Sequence, residues 1–327
     1  MAARLLLVLL AVLLALPAAG CGRARPEREA ADTGPADIGA FEEEPLSGKI
    51  RADGSSTVAP LITLAAERFR KEEPDVRVTV GISGTGGGFE RFCRGETDIS
   101  TASRPIEDDE KTACAKKGID FIELQVANDG LSIVVNPDNA WASCLTVDQL
   151  KKIWQPGSKV DKWSEVDGKF PGDELSLYGP GTDSGTFDYF TDAIVGEEGA
   201  SRGDYTASED DNVTVRGVAG EKGALGYLGL SYYESNKKKL KAVEIDGGDG
   251  CVAPSIETVQ SGAYKPLSRP LFVYIKTKSL ARIEVEAFAA FLLDNAESLA
   301  RGALFVPLTP DQLDEAFSIL DGASAGG

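Results

Sequence analysis

Hydrophobic and polar positions follow two rhythms along this chain, and the switch from one to the other recurs. "GKIRADG" (48–54) sets Ile50 and Ala52 two apart, the period of a strand with one covered face. Beyond Gly54-Ser55-Ser56-Thr57, residues Val58, Leu61, Ile62, Ala65 and Phe69 share one helical face, and Ser55 or Ser56 is placed to cap that helix. Val76, Val78 and Val80 alternate as a second strand. Ser83-Gly84-Thr85-Gly86-Gly87-Gly88 then turns, and a helix is predicted from near Phe89. A third corner, "GPGTDSGT" (179–186), separates Leu175 and Leu177 from the helical spacing of Phe187, Phe190 and Ile194. Further strands are predicted in "GLSIVVN" (130–136), "GALGYLGLSYY" (223–233) and "LFVYIKT" (271–277). Helices are predicted over "VDQLKKIW" (147–154), 285–302 and 310–320. Strands alternating with helices predict an α/β architecture with mainly parallel sheets.

The N-terminal stretch follows neither rhythm. Met1 to Leu16 is a short apolar run behind one arginine, followed by "PAAGC". That pattern reads as a secretory signal over 1–20 rather than a membrane span. "AAGC" is similar to the bacterial lipobox, which makes Cys21 the expected lipid-bearing residue; ordinary cleavage with a spare thiol is the alternative. Residues 21–47 are rich in Ala, Pro and charge, the composition of a disordered tether. Two acyl chains suffice for stable anchoring, so the expected location is the extracytoplasmic face of a bacterial membrane or the periplasm. The only expected contact with the membrane is the lipid.

With Cys21 set aside, Cys93, Cys114, Cys144 and Cys251 are an even number in an exported protein, and two disulfides are expected. Three pairings are possible; sequence nearness favours Cys93–Cys114, leaving Cys144–Cys251. No CxxC and no histidine occur, which argues against a metal site. A net charge of −18 argues against nucleic acid as a partner. The 327 residues, 42% hydrophobic and 26% charged, suit about two domains.

The three corners carry the candidate chemistry. A helix N-terminus leaves backbone N–H groups unpaired and carries about half a positive charge. Glycine admits a ligand close to the backbone, and Ser or Thr hydroxyls add donors. One such corner is ordinary capping, whereas three in one α/β chain suit convergence on a tetrahedral oxyanion. A serine nucleophile requires an adjacent base, and the chain has no histidine to serve. G-x-S-x-G, G-x-x-x-x-G-K-[ST] and G-x-G-x-x-G are absent, so no cofactor is expected.

"DGSSTVAPL", "GISGTGGGFERFCRGETDISTASRPI", "YGPGTDSGTFDYF", "GALGYLGLSYY" and "PLSRPLFVYIK" together resemble the phosphate-binding proteins of bacterial phosphate ABC transporters, in the family's order, from about Gly48 to Leu320. The resemblance implies a monomeric, two-lobed class II periplasmic-binding-protein fold with a ligand cleft and a two-strand hinge. Lobe 1 would comprise 48–130 and 273–322, and lobe 2 131–272. The implied ligand is inorganic phosphate and the implied partner an ABC permease. Receptors for sulfate or molybdate, and an envelope hydrolase, are the alternatives. By motif, phosphate would be held by Ser55, Ser56 and Thr57, by Ser83 or Thr85, and by Ser184, Gly185 and Thr186. Ser103 and Pro180 stand where the best-studied branch has an aspartate and an arginine, and Arg104 is the candidate replacement cation. Asp183, with Asp98 as its rival, is the candidate acceptor for the proton that phosphate retains near neutral pH.

Overall fold

The computed structural model describes residues 45–182 and 184–324. The signal segment, Cys21 and Asp183 lie outside the described residues.

The first strand, β1 (Ser47–Gly54), buries Ile50 and Ala52 while Lys49 and Arg51 face outward. Helix α1 (Ala59–Glu72) follows, with Pro60 in its first turn and Ala59, Leu61, Ile62, Ala65 and Phe69 buried. Helical spacing gives Leu61, Ile62, Ala65 and Phe69; Val58, also expected on that face, is buried but precedes the helix as its N-cap, and Ala59 is buried in addition. Strand β2 (Asp75–Ile82) pairs in parallel with β1 along its whole length.

Helix α2 (Gly84–Cys93) begins five residues before the position expected from the sequence. Glycine lowers helix propensity, so its run reads as a turn. Close packing overrides that preference here. A Cβ on Gly88 would stand 2.5 Å from the Gly54 Cα, and one on Gly54, whose φ is +144°, would stand 2.1 Å from the Thr101 carbonyl oxygen. The two backbones approach only because both side chains are missing.

Strand β3 (Ile99–Ala102) lies parallel to β1, and helix α3 (Asp108–Lys116) opens with acidic residues and a capping box from Glu107 and Glu110. Strand β4 (Phe121–Val135) is long enough to serve both lobes. It pairs antiparallel with strand Ser268–Lys276 up to Gly130, then from Leu131 with strand Ala224–Gly229. The sheet continues through Ser176–Gly179 to Thr206–Ala207, all parallel. The flanks are therefore parallel, as expected, but the centre is antiparallel, because the two crossing strands run in opposite directions between the lobes.

One apolar core lies around α1, β1 and helix Ile283–Asp294; the other surrounds Trp154, Trp163, Phe190 and Tyr227. The predicted 285–302 helix is in fact two, Ile283–Asp294 and Ala296–Gly302. Both expected disulfides are present. Cys93–Cys114 ties α2 to α3, and Cys144–Cys251 closes a small three-stranded sheet.

Candidate functional site

The loop after β1 turns tightly into α1. The Ala59 amide donates to the Ser55 carbonyl (3.1 Å), and the Ser55 hydroxyl accepts from the Val58 amide (3.4 Å). That leaves Ser56 and Thr57 at the tip of the corner, where they line a partly open cavity of about 90 Å³. Gly84 and Thr85, in the first turn of α2, form the adjoining wall, with Ser103 and Arg104 from the loop after β3. The Thr85 and Ser103 hydroxyls are 3.1 Å apart, and Thr85 Oγ1 also accepts from the Ser103 amide (3.2 Å).

The facing wall belongs to helix Gly185–Phe190 and its continuation, Thr191–Val195. Asp188, Tyr189 and Asp192 project into the cavity, joined by Glu198. The Ser56 hydroxyl donates to Asp188 Oδ2 across the gap (3.1 Å).

Arg269, at the start of strand Ser268–Lys276, supplies positive charge from between the two walls. Its Nη2 donates to Thr57 Oγ1 at 2.8 Å, and its guanidinium lies 3.5 Å from the centroid of the Tyr189 ring. In strand register Arg269 stands opposite Asp129, to which its Nε donates at 3.3 Å. Burial of the Asp129 carboxyl pushes its pKa up, despite the opposing pull of Arg269. The dimensions and donor set suit one small oxyanion among hydroxyls, the dipoles of two helix N-termini and a partly buried guanidinium.

The family model described as "PBP superfamily domain" matches residues 39–296, well over half of the chain. A SphX protein of Synechococcus elongatus is 49% identical over 262 residues, covering 79% of this chain and 77% of that protein. The phosphate-binding protein PstS of Staphylococcus saprophyticus is 41% identical over 278 residues, covering 84% and 85%.

The chain belongs to the PBP superfamily and, within it, to the family of the PstS and SphX proteins.

Among solved structures, a possible phosphate binding protein from Planctomyces limnophilus shares 46% identity at a TM-score of 0.83, over 85% of this chain and 99% of that one.

The residues singled out from the sequence do not all meet in the cavity. Ser55, Ser56, Thr57, Thr85, Ser103 and Arg104 line it. Of the pair Ser83 and Thr85, the structure brings Thr85 in. The Ser83 hydroxyl donates instead to Asp53 Oδ1 (2.5 Å), a buried carboxylate also held by Arg91. Arg104 reaches the cavity, but Glu110 holds its guanidinium in a bidentate pair (2.8 and 2.9 Å) with Glu107 beside it.

The third corner sits differently from the first two. Ser184, Gly185 and Thr186 line a neighbouring open cleft of about 820 Å³, which Ser56 and Thr57 also border. The Ser184 hydroxyl caps its own helix, accepting from the Thr186 amide at 3.2 Å. Asp98 lies behind β1. It accepts from the Arg51 amide (2.9 Å) and Ser279 (3.1 Å) and pairs with Arg282 (2.8 Å), so it braces its loop.

Arg269, Asp188 and Asp192 were missed in the sequence. Asp188 and Asp192 lie on the side of that helix that the apolar spacing of Phe187, Phe190 and Ile194 leaves unassigned. A signal for Arg269 did exist: an ionisable residue directly precedes each of two predicted apolar runs, Asp129 before "GLSIVV" and Arg269 before "PLFVYI". Charges at the edge of a strand that is then buried require partners.

Proposed function

We propose that this protein captures inorganic phosphate between its lobes and hands it to the permease of an ABC transporter. The observation that carries this reading is the small cavity where Ser55–Thr57, Thr85 and Ser103 converge with Arg269. The names of its PstS relatives and of the Planctomyces structure support phosphate as the anion. Lobe 1 would be 48–130 with 273–322 and lobe 2 131–272, closing about β4 and strand Ser268–Lys276. Cys21 would carry the lipid that keeps the monomeric carrier near its permease. The protein would not turn its ligand over: Ser184 is occupied in capping, and the whole chain lacks a histidine base.

Micromolar affinity corresponds to about −8 kcal/mol. Charge-assisted hydrogen bonds contribute roughly 1.5–3 kcal/mol each, so several must offset desolvation of the anion. The net charge of −18 opposes entry only weakly, since distant carboxylates are screened over about 8 Å at physiological salt. Discrimination against sulfate would come from Asp188, placed to accept the hydrogen of a P–OH group that sulfate lacks. Asp183 remains the rival acceptor.

Competition calorimetry tests the reading. Phosphate is expected to bind at micromolar or lower concentration, with sulfate at least about a hundredfold weaker. Tight sulfate or molybdate binding without phosphate binding overturns it, as does phosphoester turnover lost in Ser184→Ala. Within the site, Thr57→Val is expected to weaken phosphate about tenfold, close to 1.4 kcal/mol. Thr186→Val, on the open cleft, should change it less than Thr57→Val does. The reverse order would move the anion to the third corner.

A further inference from the structure

We infer that phosphate binding by this protein is coupled to the uptake of a proton at Glu198. The cavity's charge is unusual for an anion site. Its two cations are both engaged, Arg104 by Glu110 in a bidentate pair and Arg269 by Asp129. The wall opposite the Ser55–Thr57 corner carries Asp188, Asp192 and Glu198, none of which makes a salt bridge among the described residues. A phosphate dianion held by the Ser55–Thr57 corner would face these carboxylates across the cavity. Two anionic oxygens cannot share a hydrogen-bonding distance without a proton between them.

The remaining groups decide which carboxylate takes it. Asp188 is already engaged as the acceptor of the Ser56 hydroxyl. Glu198 sits at the cavity's rim, where partial desolvation and then the Asp188 and Asp192 carboxylates, with Arg269 opposing, raise its affinity for a proton in the free protein. Tyr189, on the same wall, donates its hydroxyl to the Pro266 carbonyl (2.8 Å) and holds no charge to offset. Lys151, on the helix Val147–Trp154 that packs behind this segment, ends beside Gly196 rather than in the cavity.

An incoming anion raises the proton affinity of Glu198 further, so a proton leaves bulk water for its carboxylate. The resulting O–H donates to a phosphate oxygen. The linkage has a fixed sign: binding that takes up a proton strengthens as pH falls and weakens as pH rises.

This inference rests on the phosphate reading, and its test separates the two. Phosphate affinity is measured for the wild type and for Glu198→Gln, which donates a hydrogen bond at every pH, between pH 5.5 and 8. Because both proteins see the same ligand, phosphate's own ionisation cancels in the ratio of their dissociation constants. The variant is expected to gain on the wild type by about tenfold from pH 5.5 to pH 8, which corresponds to an average uptake of about 0.4 proton across that range. Calorimetry at pH 7.5 in buffers of different ionisation enthalpy should show fewer protons taken up per phosphate by the variant. A ratio that stays flat with pH, or equal proton uptake, overturns the inference and leaves phosphate capture standing. Absence of phosphate binding in the wild type at pH 5.5 removes both. Glu198 lies in an exposed stretch, so the variant is expected to fold, and a Glu198→Ala variant that loses affinity at pH 5.5 would reinforce the assignment.

Discussion

Replacing Arg269 with alanine is expected to weaken phosphate binding by about 10²–10³-fold, equivalent to about 3–4 kcal/mol. Among the cavity's groups it is the cation set between the two walls, and only 15% of its side chain is exposed. Its removal also deprives Thr57 of a hydrogen-bond donor, Tyr189 of a stacked guanidinium and Asp129 of its counter-ion. The last effect complicates a single substitution, because a buried carboxylate without its partner destabilises the fold by itself. The Arg269→Ala/Asp129→Asn double variant addresses this. It should recover most of any lost thermal stability while phosphate affinity stays low. Arg269→Lys should fall between, since an ammonium keeps the charge but not the planar fork that serves Thr57 and Asp129 together. Retention of wild-type affinity in the double variant would remove Arg269 from the site.

Loss of the Cys144–Cys251 bridge is expected to have the largest effect on stability. It spans 107 residues of sequence, against 21 for Cys93–Cys114. In the chain-entropy account, the unfolded-state constraint corresponds to about 4.7 kcal/mol for the long loop and about 3.4 for the short one. For a chain this size the longer bridge corresponds to roughly 10 °C in melting temperature. Scanning calorimetry of Cys144→Ser/Cys251→Ser and Cys93→Ser/Cys114→Ser proteins tests the order as well as the magnitude. Equal melting temperatures with and without the long bridge would show that the small sheet of Cys144–Thr146, Glu244–Asp246 and Cys251–Val252 holds the loop unaided.

The sequence was most legible where one physical preference acted alone. Helical spacing placed Leu61, Ile62, Ala65 and Phe69 on the buried face of α1, and the composition of an exported chain led to both disulfides. It was least legible where distant contacts overrode a local preference. The glycines of α2 resemble a loop until Gly54 is known to pack against Gly88. The Gly/Ser/Thr grammar of the third corner matches the first, yet the cavity meets the flank of that helix, at Asp188 and Asp192, rather than its tip. Which side of a short helix faces a cleft depends on the crossing angle between lobes, and no local pattern encodes that angle. Arg104 illustrates a related limit. Its place beside the cavity followed from its neighbours, whereas its commitment to Glu110 depended on how α3 packs six residues later.

The partner exchange at Gly130 and Leu131 has a mechanical consequence. Displacement in a rotating body scales with distance from the axis, and Asp129 with Arg269 sits beside the residues where β4 changes partners. Swinging the two halves apart would carry Ser56 and Asp188 away from each other yet barely shift this guanidinium. An arriving anion would thus find its principal counter-charge already in place at the fulcrum, and the hydroxyls would gather around it afterwards.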